Sequence, residues 1–194
     1  MAQANCSWSF GGYGLLDGNA NTQSNMGEQA SLTIDGDLDA MTTGWGMDEQ
    51  LNYRRLVQFE RIQEGSEIKL KFRAISREDY DSPLTVISCI YWKERDQYYV
   101  TSVDCITLLE LIINQQFSVE EKNRVRRNLE VCKPLTISKA KHELSSFFRL
   151  IMKFDAPRPR NIEKDVKVFP WSMLGSALKK IVSKYSASYV SNGV

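Results

Sequence analysis

An α+β fold, with a small antiparallel β-sheet followed by a basic helical cluster, is predicted by three features of this 194-residue chain. Alternating and β-branched patterns gather between residues 68 and 103, and helical periodicity dominates after them. The charge divides near the same place. Through Phe117 there are 9 Lys and Arg against 17 Asp and Glu, and from Ser118 onward 16 against 7. Strands and helices that follow one another in blocks favour α+β over an alternating α/β order. Charge separated between halves points to a polyanionic partner or to an internal electrostatic match. No internal repeat is visible.

Residues 1–48 are rich in Gly, Asn, Ser, Gln and Asp, as in GGYG and DGNANTQSN, and show neither helical nor strand period. Too little apolar content is present there to offset ordering entropy, so an acidic, disordered arm is expected, followed by one domain over 49–190 and a frayed tail over 191–194. DGDLDAM resembles the opening of a calcium loop, but its twelfth position from Asp35 falls at Trp45-Gly46, where the closing Glu is required. From 48 the spacing of Leu51, Leu56, Phe59 and Ile62 predicts a helix stopped at Gly65. IKLKFRAI alternates: Ile68, Leu70 and Phe72 point one way, and Lys69, Lys71 and Arg73 the other, as in a half-buried strand. The nearly continuous run 84–92 reads as a central strand, joined by Glu94-Arg95-Asp96 to a second strand over 97–103 in a hairpin.

Helices follow. Asp104 can cap a core helix carrying Ile106, Leu108, Leu109, Ile112 and Ile113. Ser118 and Glu121 form a capping box ahead of VEEKNRVRRNLEVC, and Pro134 closes that segment. ELSSFFRLIMKF is a further helix with Leu144, Phe147, Phe148 and Ile151 on its apolar face. DAPRPRNIEKD reads as an extended linker. Pro170 suits the first turn of a last helix, WSMLGSALKKIVSKY, before the frayed SASYVSNGV.

Several function classes have no support in these residues. The longest apolar runs fall well below the roughly 18 residues of a membrane span. The first residues lack a basic region followed by an apolar stretch, so no secretory signal is expected. Cys6, Cys89, Cys105 and Cys132 form no CxxC pair and His142 is the single histidine, so neither a metal site nor another cofactor is expected and reduced thiols are the simpler reading. A nucleophile–histidine site would depend on His142, which reads as a surface residue at a loop-to-helix junction. Phosphate-binding glycine loops are absent. The chain is therefore expected to act by binding and not as an enzyme.

The basic half suggests what it binds. At about 100° per residue Arg124 and Arg127 share a helix face, while Arg126 lies beside Lys122, opposite a buried stripe of Val125 and Leu129. Guanidinium groups so spaced can reach successive phosphates or the acceptor edge of guanine. Lys139, Lys141, Arg158, Arg160, Lys164 and Lys167 continue the charge, and Lys179, Lys180 and Lys184 decorate the last helix. Any one of these could be a solvated surface group, but four consecutive elements of one sign point to nucleic acid. Trp92, Tyr98, Tyr99 and Trp171 read as core or hairpin packing in preference to base-stacking platforms.

NYRRLVQFER, VISCIYWKERDQYYVTSVDCITLLE, FSVEEKNRVRRNLE, KPLTISKAK, FFRLIMKFDAPRPRNIEKDVKVFPW and ALKKIVSKYSASY together resemble the domain of the fungal Medusa-type developmental regulators. The likeness runs from about Asn52 to Tyr189, and PRPRNIEKDVKVFPW is its most specific string. It implies a nuclear protein affecting transcription in fungal development, conidiation and adhesion, and supplies no catalytic residues. The expectation is a transcriptional regulator that binds double-stranded DNA through the basic helical half, with proteins of a transcription complex as further partners and no membrane. The alternative is a non-catalytic protein-interaction module within such a complex, docking through the acidic half or a sheet edge; a weaker third is an enzyme acting on a phosphorylated ligand.

Overall fold

The computed structural model describes residues 31–81, 83–159 and 165–191, the last six by backbone alone. The α+β class is as expected, but the sheet is larger and draws on both halves of the chain. Its seven strands are β1 (Ser31–Ile34), β2 (Arg54–Glu64), β3 (Glu67–Ile75), β4 (Thr85–Trp92), β5 (Gln97–Thr101), β6 (Leu135–Ile137) and β7 (Val166–Pro170). They stand in the order β1-β3-β2-β4-β5-β7-β6. Only the β1–β3 pair is parallel. The helices are α1 (Met47–Asn52), α2 (Ser102–Ile113), α3 (Val119–Leu129), α4 (Ser145–Lys153) and α5 (Leu174–Ser191).

Successive strand residues face opposite sides, which sorts the core into two layers. Val57, Phe59, Leu70, Ile87, Cys89, Val100 and Phe169 point to one face, where α2, α3 and α5 cover them. Ile90, Trp92, Tyr99, Val166 and Val168 point to the other, against Phe147, Phe148 and Ile151 of α4. Trp92 stacks on Phe147 at 4.2 Å between ring centroids. Where β2 begins and β3 ends, Leu56, Ile75 and Val86 make a third small cluster on this second face under Tyr80 and Leu84, and Lys71 and Arg73 of β3 remain in solvent as the alternation requires. Cys89 and Cys105 are buried free thiols, and burial pushes both well above the ordinary thiol range.

Five expectations need correction. The helix expected over 47–65 stops after six residues, because Tyr53 takes a left-handed conformation (φ 53°) and the chain continues as β2. Leu56, Phe59 and Ile62 recur every third residue, but β2 pairs on both sides and buries Leu56 and Val57 on opposite faces, where a central strand needs no alternation. Residues 31–48, expected within the disordered arm, form β1, a 3-10 turn (Leu38–Thr42) and the start of α1; residues 1–30 lie outside the described residues. Residues 31–48 are held by the pairing of β1 with β3, by burial of Leu38, and by side chains further along the chain: Arg55 donates to the Met41, Thr43 and Gly44 carbonyls and the Trp171 indole N–H donates to the Leu38 carbonyl at 2.8 Å. β6 and β7 arise where turn and linker were expected, and Pro170 ends β7 instead of opening α5. α5 continues to Ser191 through the stretch read as frayed. Finally, Thr101 caps α2, its hydroxyl accepting from the Asp104 N–H.

Candidate nucleic-acid interface

Asp104 is displaced from its expected capping role because its carboxylate points into the core, 5% exposed, and accepts the Ser88 N–H at 3.0 Å. β5 turns into α2 at this point, which leaves the Ser88 amide without a ladder partner. Burial raises the carboxyl to about 7, against the opposing pull of the Ser88 amide and the Arg54 charge.

α3 owes its position to its ends and its stripe. The capping box forms as expected: Ser118 Oγ accepts the Glu121 N–H at 3.2 Å and Glu121 accepts the Ser118 N–H at 2.9 Å. Val125 and Leu129 are fully buried. α5 lies alongside, burying Ala177, Leu178, Ile181, Val182 and Tyr185 and exposing Lys179, Lys180 and Lys184. Contacts from α3 and from Phe117 just before it fasten α5 in place. Tyr185 stacks on Phe117 at 5.6 Å, the Arg124 guanidinium lies 4.5 Å from the Tyr185 ring centroid, and Lys184 reaches Asn128 Oδ1 at 3.3 Å. Arg124 and Lys184 are thus held at the α3–α5 seam, with Arg127 and Lys180 about one turn away along their own helices, which outlines a ridge of four cations, and none of the 18 residues of α5 is acidic.

The other expected contacts separate. Lys122 turns inward to Glu110 at 3.2 Å, and Glu110 also accepts the Phe117 N–H, so this lysine fastens α3 to α2. Arg126 is half-buried and donates to Asn123 at 2.8 Å, one turn back. Lys167, on the helical face of β7, pairs with Glu130. Lys139 and Lys141 are exposed between β6 and α4, and Arg158 is exposed beyond α4, so these three lie on the segments flanking the helix that packs on the other face of the sheet from α3 and α5. Arg160 and Lys164 lie outside the described residues. Among the described residues, Lys122 and Lys167 are therefore taken up by ion pairs within the protein, while Arg124, Arg127, Lys180 and Lys184 gather along α3 and α5 and Lys179 is exposed on α5. Among the α3 arginines, Arg127 is exposed with no hydrogen-bond or ion-pair partner among the described residues.

Sequence reasoning passed over two arginines that the fold uses heavily. Arg55, 6% exposed, donates to both oxygens of Glu49 (2.6 and 2.8 Å) and to the carbonyls of Met41, Thr43 and Gly44. Burial works to raise the Glu49 carboxyl, but the Arg55 fork and the Gly46 N–H outweigh it and hold it below its ordinary value. Arg54, on the opposite face of β2, donates to Ser88 Oγ at 3.0 Å and to the carbonyls of Asp155 and Pro157, with its guanidinium 4.7 Å from the Phe154 ring centroid. Desolvation pushes its pKa down to about 10. The available signal was two adjacent arginines beside an apolar run, since neighbours on a strand face opposite sides and each must then find partners.

A family model described as a domain of unknown function, DUF7082, matches residues 28–182. No curated protein and no solved structure matches the chain. Among the described residues no helix is long and apolar enough to cross a membrane.

Proposed function

The chain belongs to the DUF7082 family, and from that premise we propose that it is a nuclear regulator of transcription that binds double-stranded DNA through the α3–α5 ridge. It acts by binding, without catalysis, and controls development and adhesion in a fungus. The observation that carries this reading is the ridge itself: Arg124, Arg127, Lys180 and Lys184 on two cross-linked helices, one of them free of acidic residues. A cation pair on each of two rigid elements can hold phosphates in a fixed register, while Arg127 has its guanidinium available for a base edge. The resemblance to Medusa-type regulators supports the nuclear and developmental part of the reading.

Titration of the full chain with duplex DNA across a salt series tests it. Four neutralised phosphates correspond to a log–log slope of about −3 to −4. Changing Arg127 and Lys180 to Ala removes the two exposed ridge cations that hold no core contact, and should lower affinity at least tenfold while leaving the melting temperature unchanged. Binding indifferent to salt, or equal in the variant, rejects the reading.

A second reading, a protein-interaction module, is favoured by one observation. Trp45, Tyr53, Tyr91 and Tyr98 are half-buried and lie ring against ring, with centroid separations of 5.0 to 6.5 Å. Partly exposed Tyr and Trp are the residues that anchor protein interfaces. In that case Tyr98→Ala removes a co-purifying protein and leaves DNA affinity unchanged.

A further inference from the structure

A cleft of about 860 Å³ opens at the end of the sheet where β2 begins and β3 ends, between α1 and the C-terminal end of α4. Its size lies within the range of small-molecule sites, roughly 300–1,000 Å³. Met47, Leu51, Tyr53, Leu56, Leu150 and Phe154 supply its apolar lining. Arg54, Arg77 and Lys153 reach it from the side of α4 and the loop after β3.

We infer that this cleft binds a small amphiphilic organic anion, a single carboxylate carried on an apolar body. The inference is independent of the DNA reading and begins with Arg54. Its partners, Ser88 Oγ and the carbonyls of Asp155 and Pro157, are all neutral. They take three of the five N–H donors that a guanidinium carries. Among the described residues no carboxylate lies within ion-pair distance of it, whereas Arg55 next to it holds Glu49 with a bidentate fork. A desolvated cation lacking a counter-ion is costly, and a carboxylate delivered into the cleft relieves that cost.

The nearby acids do not serve as that counter-ion. Asp155 is committed to Arg77 at 2.7 Å. Asp104 acts from behind Ser88, and burial holds its carboxyl near neutrality in pKa, so its charge is partial at neutral pH.

The apolar wall indicates the rest of the ligand. Met47 and Leu51, one turn apart on α1, are 79% and 71% exposed. Side chains of this kind in solvent beside a cleft mark a surface that something covers. Carboxylates of Asp48, Glu49, Glu78 and Asp155 also line the cleft, and they disfavour a multiply charged ligand such as a nucleotide or a nucleic acid strand. One negative charge with a hydrocarbon tail meets both conditions.

Decanoate, below its micellar range, is the probe, with decanol and acetate as controls for tail and head. Calorimetric titration of the full chain should give saturable decanoate binding, at least tenfold weaker decanol binding and no heat from acetate. The double variant Met47→Asp with Leu51→Asp changes only exposed groups, so it should keep its fold and lose at least tenfold in decanoate affinity. Arg54→Gln should erase the preference of decanoate over decanol. Equal affinity for decanol and decanoate in the unmodified chain overturns the anionic assignment. Absence of decanoate binding, or binding that the Met47/Leu51 variant leaves unchanged, overturns the site. If Arg54→Gln does not fold, the decanol comparison and the Met47/Leu51 variant decide the matter.

Discussion

The chain carries two arginine clusters that look alike in sequence and behave differently in the fold. Arg54 and Arg55 sit on a central strand: Arg54 gives three donors to a hydroxyl and to the carbonyls of Asp155 and Pro157 on one face, and Arg55 gives all of its donors to Glu49 and to carbonyls of residues 41–44 on the other. Arg124, Arg126 and Arg127 sit on an amphipathic helix whose apolar stripe already secures it: Arg124 lies against Tyr185, Arg126 donates to Asn123, and Arg127 is exposed. A guanidinium on a strand between two layers has to find its partners within the protein or in a cleft that opens beside it. On the outer face of a helix it can wait for a ligand. Density of positive charge in the sequence therefore marks a possible interface only where something else does the folding.

Removing one member of each cluster tests this contrast, and the largest effect is expected at Arg55. Arg55→Ala should cost about 3–5 kcal/mol, because Glu49 and three carbonyls lose a shared partner inside the protein. Chemical denaturation measures the loss, and hydrogen exchange should show residues 37–52 losing protection before the central strands. Arg55→Lys should recover only part of it, since an ammonium cannot reproduce the fork. Equal stability of Arg55→Ala and the unmodified chain would erase the contrast.

Trp171→Phe comes next, at about 1–3 kcal/mol, since it leaves the Leu38 carbonyl without its buried donor. The loss should appear in the melting temperature, with the same early exposure of residues around Leu38. Unchanged protection there would mean that the Trp171 bond does not hold the segment and that Arg55, β1 pairing and Leu38 burial suffice.

Asp104→Asn is expected to act through pH. Asp104 has a folded-state pKa of about 7, above its ordinary value of 3.8. Between those values the folded protein holds a proton that the unfolded chain has released. Stability should therefore be greatest below the ordinary carboxyl range, fall as pH rises toward 7, and level off above it. The Asn variant should flatten this profile and gain about 1–2 kcal/mol at pH 8 relative to the unmodified chain, because the cost of a buried charge disappears. Denaturation midpoints from pH 4 to 8 decide it, and parallel profiles for the two proteins would refute the assignment.

The smallest stability effect belongs to the second cluster. Arg127→Ala should shift stability by no more than about 0.5 kcal/mol, as expected for an exposed group without partners. Its effect should appear in DNA affinity, measured beside Arg55→Ala so that loss of binding and loss of fold are told apart. A large drop in melting temperature for Arg127→Ala would place it with the structural arginines.

Legibility in the sequence follows how local each interaction is. The capping box at Ser118, the alternation of β3, the β4–β5 hairpin and the stripes of α3 and α4 were readable because each depends on residues a few positions apart. The third-residue spacing of Leu56, Phe59 and Ile62 misled, since a central strand is apolar on both sides and carries no period of its own. β1 and β7 were unreadable as strands because each completes its hydrogen bonding only against partners far along the chain, β3 for one and β5 with β6 for the other. For the interface, the sequence named the cations on α3 and α5 but could not tell that Lys122 and Lys167 would meet Glu110 and Glu130.

By itself the sequence determined the α+β class, the helical faces and the division of charge, because periodicity, caps and composition act over a few residues. Tertiary structure alone decided which arginines are buried, that residues 31–48 fold onto the sheet, and which of the described cations are taken up by ion pairs within the protein. Each of these depends on contacts between residues far apart in the chain, such as Arg54 with Pro157 or Trp171 with Leu38. Such pairings pay off only after the sheet has brought both partners together, so no local pattern announces them.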